Sequence, residues 1–216
     1  MSSWQKQFPF SIVCFLSYIR KFMFTGIIEF VAKILEVRTQ NTNLHIHVEC
    51  EFLPEVKIDQ SIAHNGVCLT VTEITNQGYW VTAIQETINR TNLANLKPGN
   101  LVNIERCMMA SSRFDGHYVQ GHVDCTGLID EIHDVDGSNL IFIQHPADAG
   151  ITVNKGSITV NGISLTVVDS FPDAFSVAII PYTWEHTNLK TLNVGDAVNI
   201  EFDIIGKYIQ KYQSLI

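Results

Sequence analysis

Residues 61–105 decide the fold, because nearly the same stretch occurs twice in the chain. They read SIAHNGVCLTVTEITNQGYWVTAIQETINRTNLANLKPGNLVNIE, and residues 157–201 read SITVNGISLTVVDSFPDAFSVAIIPYTWEHTNLKTLNVGDAVNIE. The two stretches align without a gap at an offset of 96, and 19 of the 45 aligned positions are identical. Upstream, residues 25–28 align with residues 120–123 at an offset of 95. A unit of this length is too long for a solenoid repeat and suits an independent domain, so the sequence predicts a duplication.

Each copy has the pattern of short strands joined by turns. Segments rich in Val, Ile, Thr, Tyr and Phe recur through the copy, such as LHIHVEC at 44–50, CLTVTEI at 68–74 and LVNIER at 101–106. Asn-Gly pairs at 65–66 and 161–162 are strong turn signals, because both residue types tolerate positive φ. About six strands in each copy predict an all-β fold of two small closed barrels, since closure removes exposed strand edges.

Helices are expected at three places. Within the copies, residues 86–93 and 183–189 mix polar and apolar positions in a way typical of a helix. In the tail, apolar side chains recur near helical spacing, which predicts a short amphipathic helix over residues 204–216. Because so short a helix is marginal alone, we expect it to pack against something, and another subunit is a candidate.

The domain organisation follows from the repeat. We expect an N-terminal extension at residues 1–22, a first barrel at 23–118, a second barrel at 119–208 and the tail helix at its end. The extension contains an apolar run at 8–19 that is too short to span a bilayer. A second methionine, Met23, follows it. An upstream extension from a misplaced start, a targeting or membrane-surface segment, and a structural role are the three interpretations.

Composition excludes several functional classes. The chain has 14 Lys and Arg against 22 Asp and Glu, a formal net charge of −8, which disfavours binding to a phosphate backbone. Hydrophobic residues make up 46% of the chain, which excludes disorder. Five cysteines lie at irregular spacing without a CxxC pair, so neither a disulfide scaffold nor a thiolate zinc site is expected. A reducing compartment is the simpler interpretation.

Five segments together resemble the riboflavin synthase family. They are MFTGII at 23–28, SIAHNGVCLTV at 61–71, GHYVQGHVD at 116–124, KGSITVNGISLTV at 155–167 and IIPYTWEHTNL at 179–189. The resemblance implies two tandem six-stranded Greek-key barrels, a C-terminal helix and a cytoplasmic homotrimer, with lumazine synthase as a further partner. It implies dismutation of two 6,7-dimethyl-8-ribityllumazine molecules, in which one gives a four-carbon unit to the other and riboflavin forms. No metal or organic cofactor is implied.

The resemblance also implies four catalytic candidates, each with a plainer alternative. Cys68 corresponds to a functional cysteine of the family, although a strand cysteine is usually an apolar filler. Ser61 is carried over as a small hydroxyl group that a ribityl chain or ring edge requires. His117 and His122 titrate near neutral pH and are suited to moving the proton of an acidified methyl C–H; structural hydrogen bonding is the alternative. Their spacing does not suit a metal pair.

The substrate-binding candidates come from the same resemblance. They are Phe24, Thr70, Lys155, Asn161, Ser164, Thr166 and Asp203. Phe24 has a core aromatic as its alternative, Lys155 a solvated turn lysine, and Asp203 a helix N-cap. Asn161 departs from the family, many members of which have aspartate there, so an ionic role at this position is in doubt.

Three rival functions are weighed against the enzyme. A non-catalytic lumazine-binding antenna protein would share the fold, but such proteins depart in the NGxCLTV and GHxxxGHxD segments that are intact here. A flavin reductase needs a nucleotide-binding domain with a Gly-rich turn, for which the chain has no room. An oligonucleotide-binding barrel is disfavoured by the negative charge.

Overall fold

Twelve antiparallel strands build the part of the chain that the structure, a computed structural model, describes, namely residues 23–109 and 111–215. The first six are β1 (Phe30–Gln40), β2 (Asn43–Glu49), β3 (Ser61–His64), β4 (Val67–Ile74), β5 (Gly78–Ala83) and β6 (Leu101–Arg106). The second six are β7 (Cys125–Val135), β8 (Ser138–Gln144), β9 (Ser157–Val160), β10 (Ile163–Ser170), β11 (Ala174–Ile179) and β12 (Ala197–Phe202). The predicted extension at residues 1–22 lies outside the described residues.

Each set of six strands closes into a barrel with the same topology. The order is β1-β2-β5-β4-β3-β6 in the first barrel and β7-β8-β11-β10-β9-β12 in the second. Strands β3 to β5 follow one another as hairpins and β5 then pairs with β2, which is a Greek-key connection. Bulges bend β1, β4, β7 and β10 at matching places. The predicted all-β fold of two duplicated six-stranded barrels is confirmed.

Three helices lie outside the strands in this part of the chain, where the sequence predicts them. They are α1 (Gln85–Arg90), α2 (Pro181–His186) and α3 (Ile204–Gln213). A short 3-10 turn completes each of the first two, at Asn92–Asn95 and Asn188–Thr191. The tail helix is confirmed, although it ends at Gln213 instead of continuing to residue 216. No helix in the described ranges is long and apolar enough to cross a membrane.

Each barrel has its own apolar core, and the two differ at one equivalent pair of positions. In the first barrel His64 Nε2 and the Tyr79 hydroxyl lie 2.9 Å apart, and both side chains are buried. The aligned positions in the second barrel are Val160 and Phe175, which are also buried. Burial lowers the pKa of His64 from 6.5 to about 4.

Six asparagines join the two barrels, in three pairs that are identical between the copies. They are Asn65 and Asn161, Asn92 and Asn188, and Asn103 and Asn199. Asn103 Nδ2 donates to the carbonyl of Asn161 at 3.0 Å, and Asn199 Nδ2 donates to the carbonyl of Asn65 at 2.9 Å. Asn188 Nδ2 reaches Asn65 Oδ1 at 3.0 Å, and Asn92 Nδ2 reaches Asn161 Oδ1 at 3.2 Å. The contacts exchange under the same pseudo-twofold operation that relates the barrels.

The predicted Asn-Gly turns meet at the centre of this interface. Asn65 and Asn161 have φ of 46° and 45°, and the glycines that follow have φ of 76° and 81°. A Cβ atom on Gly66 would lie 2.7 Å from the amide nitrogen of Gly162, and a Cβ on Gly162 would lie 2.7 Å from that of Gly66. Only glycine permits both the left-handed conformation and this backbone approach.

Replacing Gly66 with alanine is expected to destabilise the protein more than the matched change at Gly99. Gly99→Ala imposes only backbone strain, because Gly99 has φ of 94° and no atom lies within 4 Å of the place that a Cβ would occupy. Gly66→Ala adds a clash between backbones, for a total of about 3 kcal/mol or more in the free energy of unfolding. Urea titration measures both. Equal losses would mean that the barrels do not meet closely at Gly66.

The buried His64 is expected to make stability fall in mild acid. Its folded-state pKa lies below the unfolded value, so the unfolded chain binds more protons between about pH 4 and pH 6.5. The corresponding stability, about 3 kcal/mol, is fully present above pH 6.5 and is lost as the pH falls towards 4. A His64→Val, Tyr79→Phe double variant, which copies the second barrel, should lack this slope in urea titrations at several pH values. An unchanged slope would contradict the assignment.

Candidate functional site

The predicted site residues fall into two groups, one in each barrel. The first-barrel group surrounds Cys68 on β4. Ser61 on β3 pairs with Thr70 across the ladder, and the Ser61 side chain hydrogen-bonds the Cys68 thiol. Burial raises the pKa of this thiol, and the nearby Glu201 carboxylate raises it further, against the opposing effect of the Ser61 hydrogen bond. The thiol is therefore protonated at neutral pH, which suits a contact with substrate better than a nucleophile.

The second-barrel group surrounds Ser164, the residue aligned with Cys68. Ser164 Oγ lies 2.7 Å from His117 Nδ1, and Thr159 Oγ1 lies 3.1 Å from His117 Nε2. Both ring nitrogens of His117 thus have hydroxyl partners. Burial lowers the pKa of His117, and the Asp203 carboxylate raises it in opposition. The ring is neutral at physiological pH and is held by its two partners, so a change in its charge is costly at this place.

Two lead-in segments, residues 24–26 before the first barrel and 119–122 before the second, cross to the opposite barrel. Phe24 and Val119 pair as an isolated antiparallel bridge. Beyond it, the carbonyl of Gly26 accepts from the amide of Ser164 at 2.8 Å, and the carbonyl of Gly121 accepts from the amide of Cys68 at 2.9 Å. Each candidate group therefore includes backbone from the other copy's lead-in.

Two buried glutamates hold these lead-in segments, and sequence reasoning missed both. Glu105 at the end of β6 accepts from the amides of Thr25 and Gly26. Glu201 at the equivalent place on β12 accepts from the amides of residues 120, 121 and 122. Burial raises the pKa of Glu105 to about 7 and also raises that of Glu201. The signal was present in the sequence, because both copies end in the identical VNIE, with a charged residue in an apolar strand.

The remaining predicted residues divide between the two groups. His122 is exposed and follows Gly121, which packs on Cys68 in the first-barrel group. Thr70 and Thr166 are exposed at equivalent strand positions. Lys155 is exposed in a turn with φ of 68°, and its amide donates to the carbonyl of Val167 beside Thr166.

Asp203 joins the second-barrel group through its electrostatic effect on His117 and also caps a helix. Its side chain accepts from the amide of Ile205 at 2.9 Å at the start of α3, so the N-cap alternative describes its observed contact. The carboxylate therefore links the tail helix to the surroundings of His117.

Two of the predicted substrate-binding residues have fully buried side chains. Phe24 is 0% exposed and packs with Ala63 and Val119, as the core-aromatic alternative expects, and Cys68 packs against the same cluster. Asn161 is also 0% exposed, and its Oδ1 accepts from Asn199 N and Asn92 Nδ2. Asn161 therefore belongs to the interface between the barrels, where its side-chain oxygen accepts from donors on both copies.

A cleft of about 490 Å³ opens at the same junction and is a separate feature. Equivalent residues of both copies line it, among them Asn92 and Asn188. Neither Cys68 nor Ser164 lines this cleft. Within residues 23–109 and 111–215, no group of three or more His, Cys, Asp and Glu side chains is arranged to hold a metal ion.

Comparison with known proteins gives consistent matches over most of the chain. The model of the lumazine binding domain matches twice, over residues 25–107 and 120–203. The chain is 44% identical over 192 residues to riboflavin synthase from Actinobacillus pleuropneumoniae, covering 88% of this chain and 89% of that protein. It is 40% identical over 194 residues to riboflavin synthase from Bacillus subtilis (strain 168), with the same two coverages.

Among solved structures, the chain is similar to LumP complexed with 6,7-dimethyl-8-(1'-D-ribityl) lumazine. The TM-score is 0.76 at 24% sequence identity, and the match covers 83% of this chain and 99% of that one. At this identity the likeness bears on the fold alone.

Asp203→Asn is expected to lower the pKa of His117 further. Asparagine retains an N-cap for α3, whereas the charge that raises the pKa of His117 is lost. NMR titration of the His117 ring measures the change, and Asp196→Asn, in a turn between α2 and β12, is the matched control. An unchanged His117 pKa in the Asp203 variant would mean that the carboxylate and the ring are not coupled.

Proposed function

The chain belongs to the riboflavin synthase family and is a transferase, and from this premise we propose that its substrate is 6,7-dimethyl-8-ribityllumazine. In the proposed reaction one lumazine gives a four-carbon unit to a second. The acceptor becomes riboflavin, and the donor leaves as 5-amino-6-(D-ribitylamino)uracil.

The observation that carries the proposal is the pair of equivalent groups around Cys68 and Ser164. A reaction between two identical molecules calls for two related binding sites, and the duplicated barrel repeats one strand geometry twice. Exposed Thr70 and Thr166 offer hydroxyl groups at matching places, suited to a ribityl chain or a ring edge. Orienting two reactants in this way can lower a barrier by roughly 7–11 kcal/mol. The ligand named for LumP, a protein of the same fold, is consistent with this use of the barrel.

We propose distinct roles for the candidate side chains. His122 is exposed beside the first-barrel group and is suited to take a proton from the acidified methyl group of a bound lumazine. Cys68, as a neutral thiol, contacts the ring without forming a covalent bond. Ser164 and the neutral His117 orient the second lumazine, and Lys155 balances negative charge that develops on it.

The assembly and the surroundings of the enzyme are proposed as well. Four apolar side chains of α3 are more than half exposed in the single chain. They are Ile205, Tyr208, Ile209 and Tyr212. An amphipathic helix with such an uncovered face is suited to packing in a homotrimer. Domain limits at 118 and 208, a cytoplasmic location and association with lumazine synthase complete the proposal.

The direct test incubates the purified protein with 6,7-dimethyl-8-ribityllumazine and follows the appearance of riboflavin fluorescence. Riboflavin and 5-amino-6-(D-ribitylamino)uracil in equal amounts are expected, because each turnover consumes two lumazines. Tight binding of lumazine without product would contradict the proposal and indicate the antenna function instead.

Replacing Cys68 or His122 with alanine is expected to slow turnover unequally. His122→Ala removes a proton-transfer group, which typically costs about 10²-fold or more in kcat. Cys68→Ala removes only a contact, so a loss of about tenfold is expected, corresponding to one hydrogen bond or small packing contact. Steady-state fluorescence kinetics measure both. The matched controls are His133→Ala, an exposed histidine on β7, and Cys125→Ala at the start of that strand; full activity in a site variant would remove that residue from the proposed machinery.

A further inference from the structure

Glu105 and Glu201 have no part in the proposed chemistry, yet they are two of the most enclosed charged residues in the described chain. Glu105 is 5% exposed and Glu201 is 3% exposed. They lie at identical positions of the repeat, at the ends of β6 and β12. A carboxylate buried to this degree is retained only where its oxygens are satisfied, so the identity of its donors indicates its role.

Backbone amides satisfy both carboxylates. Glu105 Oε1 accepts from Thr25 N at 2.7 Å and from Thr25 Oγ1 at 3.1 Å, and Oε2 accepts from Gly26 N at 3.0 Å. Glu201 Oε1 accepts from Gln120 N at 2.7 Å, and Oε2 accepts from Gly121 N at 2.9 Å and His122 N at 3.0 Å. Each glutamate thus fixes the two or three residues of its own copy's lead-in segment.

The fixed segments end against the opposite barrel. Gly26, held by Glu105 of the first barrel, accepts through its carbonyl from the amide of Ser164 in the second. Gly121, held by Glu201 of the second barrel, accepts from the amide of Cys68 in the first. Both glycines pack too closely against the opposite barrel to carry a side chain. A Cβ on Gly26 would lie 2.6 Å from Ser164 Cβ, and a Cβ on Gly121 would lie 2.7 Å from Cys68 Cβ.

We propose that Glu105 and Glu201 are positioning residues, each of which fixes the ligand site of the opposite barrel. Glu201 places residues 120–122, with the exposed His122, beside Cys68, and Glu105 places residues 25–26 beside Ser164. The inference rests on the proposed function, because the sites concerned are the proposed lumazine sites. Its consequence is reciprocal: a change in one barrel's glutamate disturbs the other barrel's site.

The pKa of Cys68 also responds to the glutamate of the opposite barrel. The Glu201 carboxylate belongs to the second barrel, yet its charge contributes to raising the pKa of the Cys68 thiol in the first. Glu201 therefore lies close enough to the first-barrel group to affect it directly as well as through the lead-in segment. An experiment has to separate these two effects.

The test compares Glu105→Gln with Glu201→Gln, using one reporter in each barrel of the full-length protein. N-ethylmaleimide labelling of Cys68, resolved by peptide mass spectrometry, reports on the first barrel, and NMR signals of the His117 ring report on the second. Glutamine has one acceptor oxygen where the carboxylate has two, so it cannot hold all the amides. We expect Glu201→Gln to speed Cys68 labelling and leave His117 unchanged, and Glu105→Gln to shift His117 and leave Cys68 unchanged.

The pH dependence of labelling separates positioning from charge. If Glu201→Gln acted only by removing charge, the pKa of Cys68 would fall, because the Glu201 charge raises it. The curve of labelling rate against pH would then move to lower pH, and the limiting rate at high pH would stay the same. Positioning predicts a limiting rate that rises by about tenfold or more, the factor for one lost charge-assisted hydrogen bond. Glu36→Gln, at a half-exposed glutamate on β1, is the matched control and should move neither reporter.

Two further measurements keep the inference testable if a glutamine variant does not fold. Thr25→Val removes only the hydroxyl bond to Glu105 and should still shift the His117 signals. In the unmutated protein, the amide hydrogens of Gly26 and Gly121 should exchange at least about tenfold more slowly than that of Gly137, whose amide donates at 3.4 Å to the exposed carboxylate of Asp134. Exchange at Gly26 and Gly121 as fast as at Gly137 would overturn the inference.

Other outcomes overturn it as well. Effects confined to the mutated barrel, or no effect on either reporter in folded variants, would mean that the glutamates do not position the opposite site. Because neither reporter needs substrate, this failure is distinguishable from failure of the proposed function, which would appear as absent riboflavin with reciprocal effects intact.

Discussion

The arrangement of the two barrels depends on hydrogen bonds among asparagines in a buried interface. Asn103 and Asn199 each donate to the backbone of the opposite Asn-Gly turn, and Asn92 and Asn188 reach the side chains of those turns. Buried amides are costly when unpaired, so a rotation or slide of one barrel would leave several donors and acceptors unsatisfied. An apolar interface would tolerate such a slide more easily. The amide network therefore selects one orientation, and that orientation brings each lead-in segment against the other barrel.

The duplication has kept the framework and altered the sites. The residues that join the barrels and hold the lead-in segments are identical in both copies, whereas the residue at the centre of each candidate group and one pair of core residues differ. Cys68 of the first copy aligns with Ser164 of the second, and His64 and Tyr79 align with Val160 and Phe175. The proposed dismutation needs two places for one ligand, because one lumazine is the donor and the other the acceptor. Equivalent geometry with different side chains suits that requirement.

Much of the fold was predictable from sequence, because it depends on local signals repeated twice. The Asn-Gly turns, the alternating segments near Cys68 and the tail helix are all properties of neighbouring residues, and they appear where predicted. The site was less predictable, because most of its contacts join residues that lie 42 or more positions apart, such as His117 with Thr159 and Ser164. The role of Glu105 depends on its distance to Thr25, and the burial of Phe24 and Asn161 depends on how the barrels meet. The substrate contacts expected at those two positions come from the family resemblance, which does not indicate how far packing encloses the two side chains.

Each barrel is proposed to present one lumazine site, at equivalent strand positions around Cys68 and Ser164. A crystal structure of the protein with 6,7-dimethyl-8-ribityllumazine, or with a non-reacting analogue, tests this most directly. We predict one ligand beside Cys68 and Thr70 and another beside Ser164 and Thr166, with the lead-in segments unmoved. Ligand bound only in the cleft lined by Asn92 and Asn188 would contradict it.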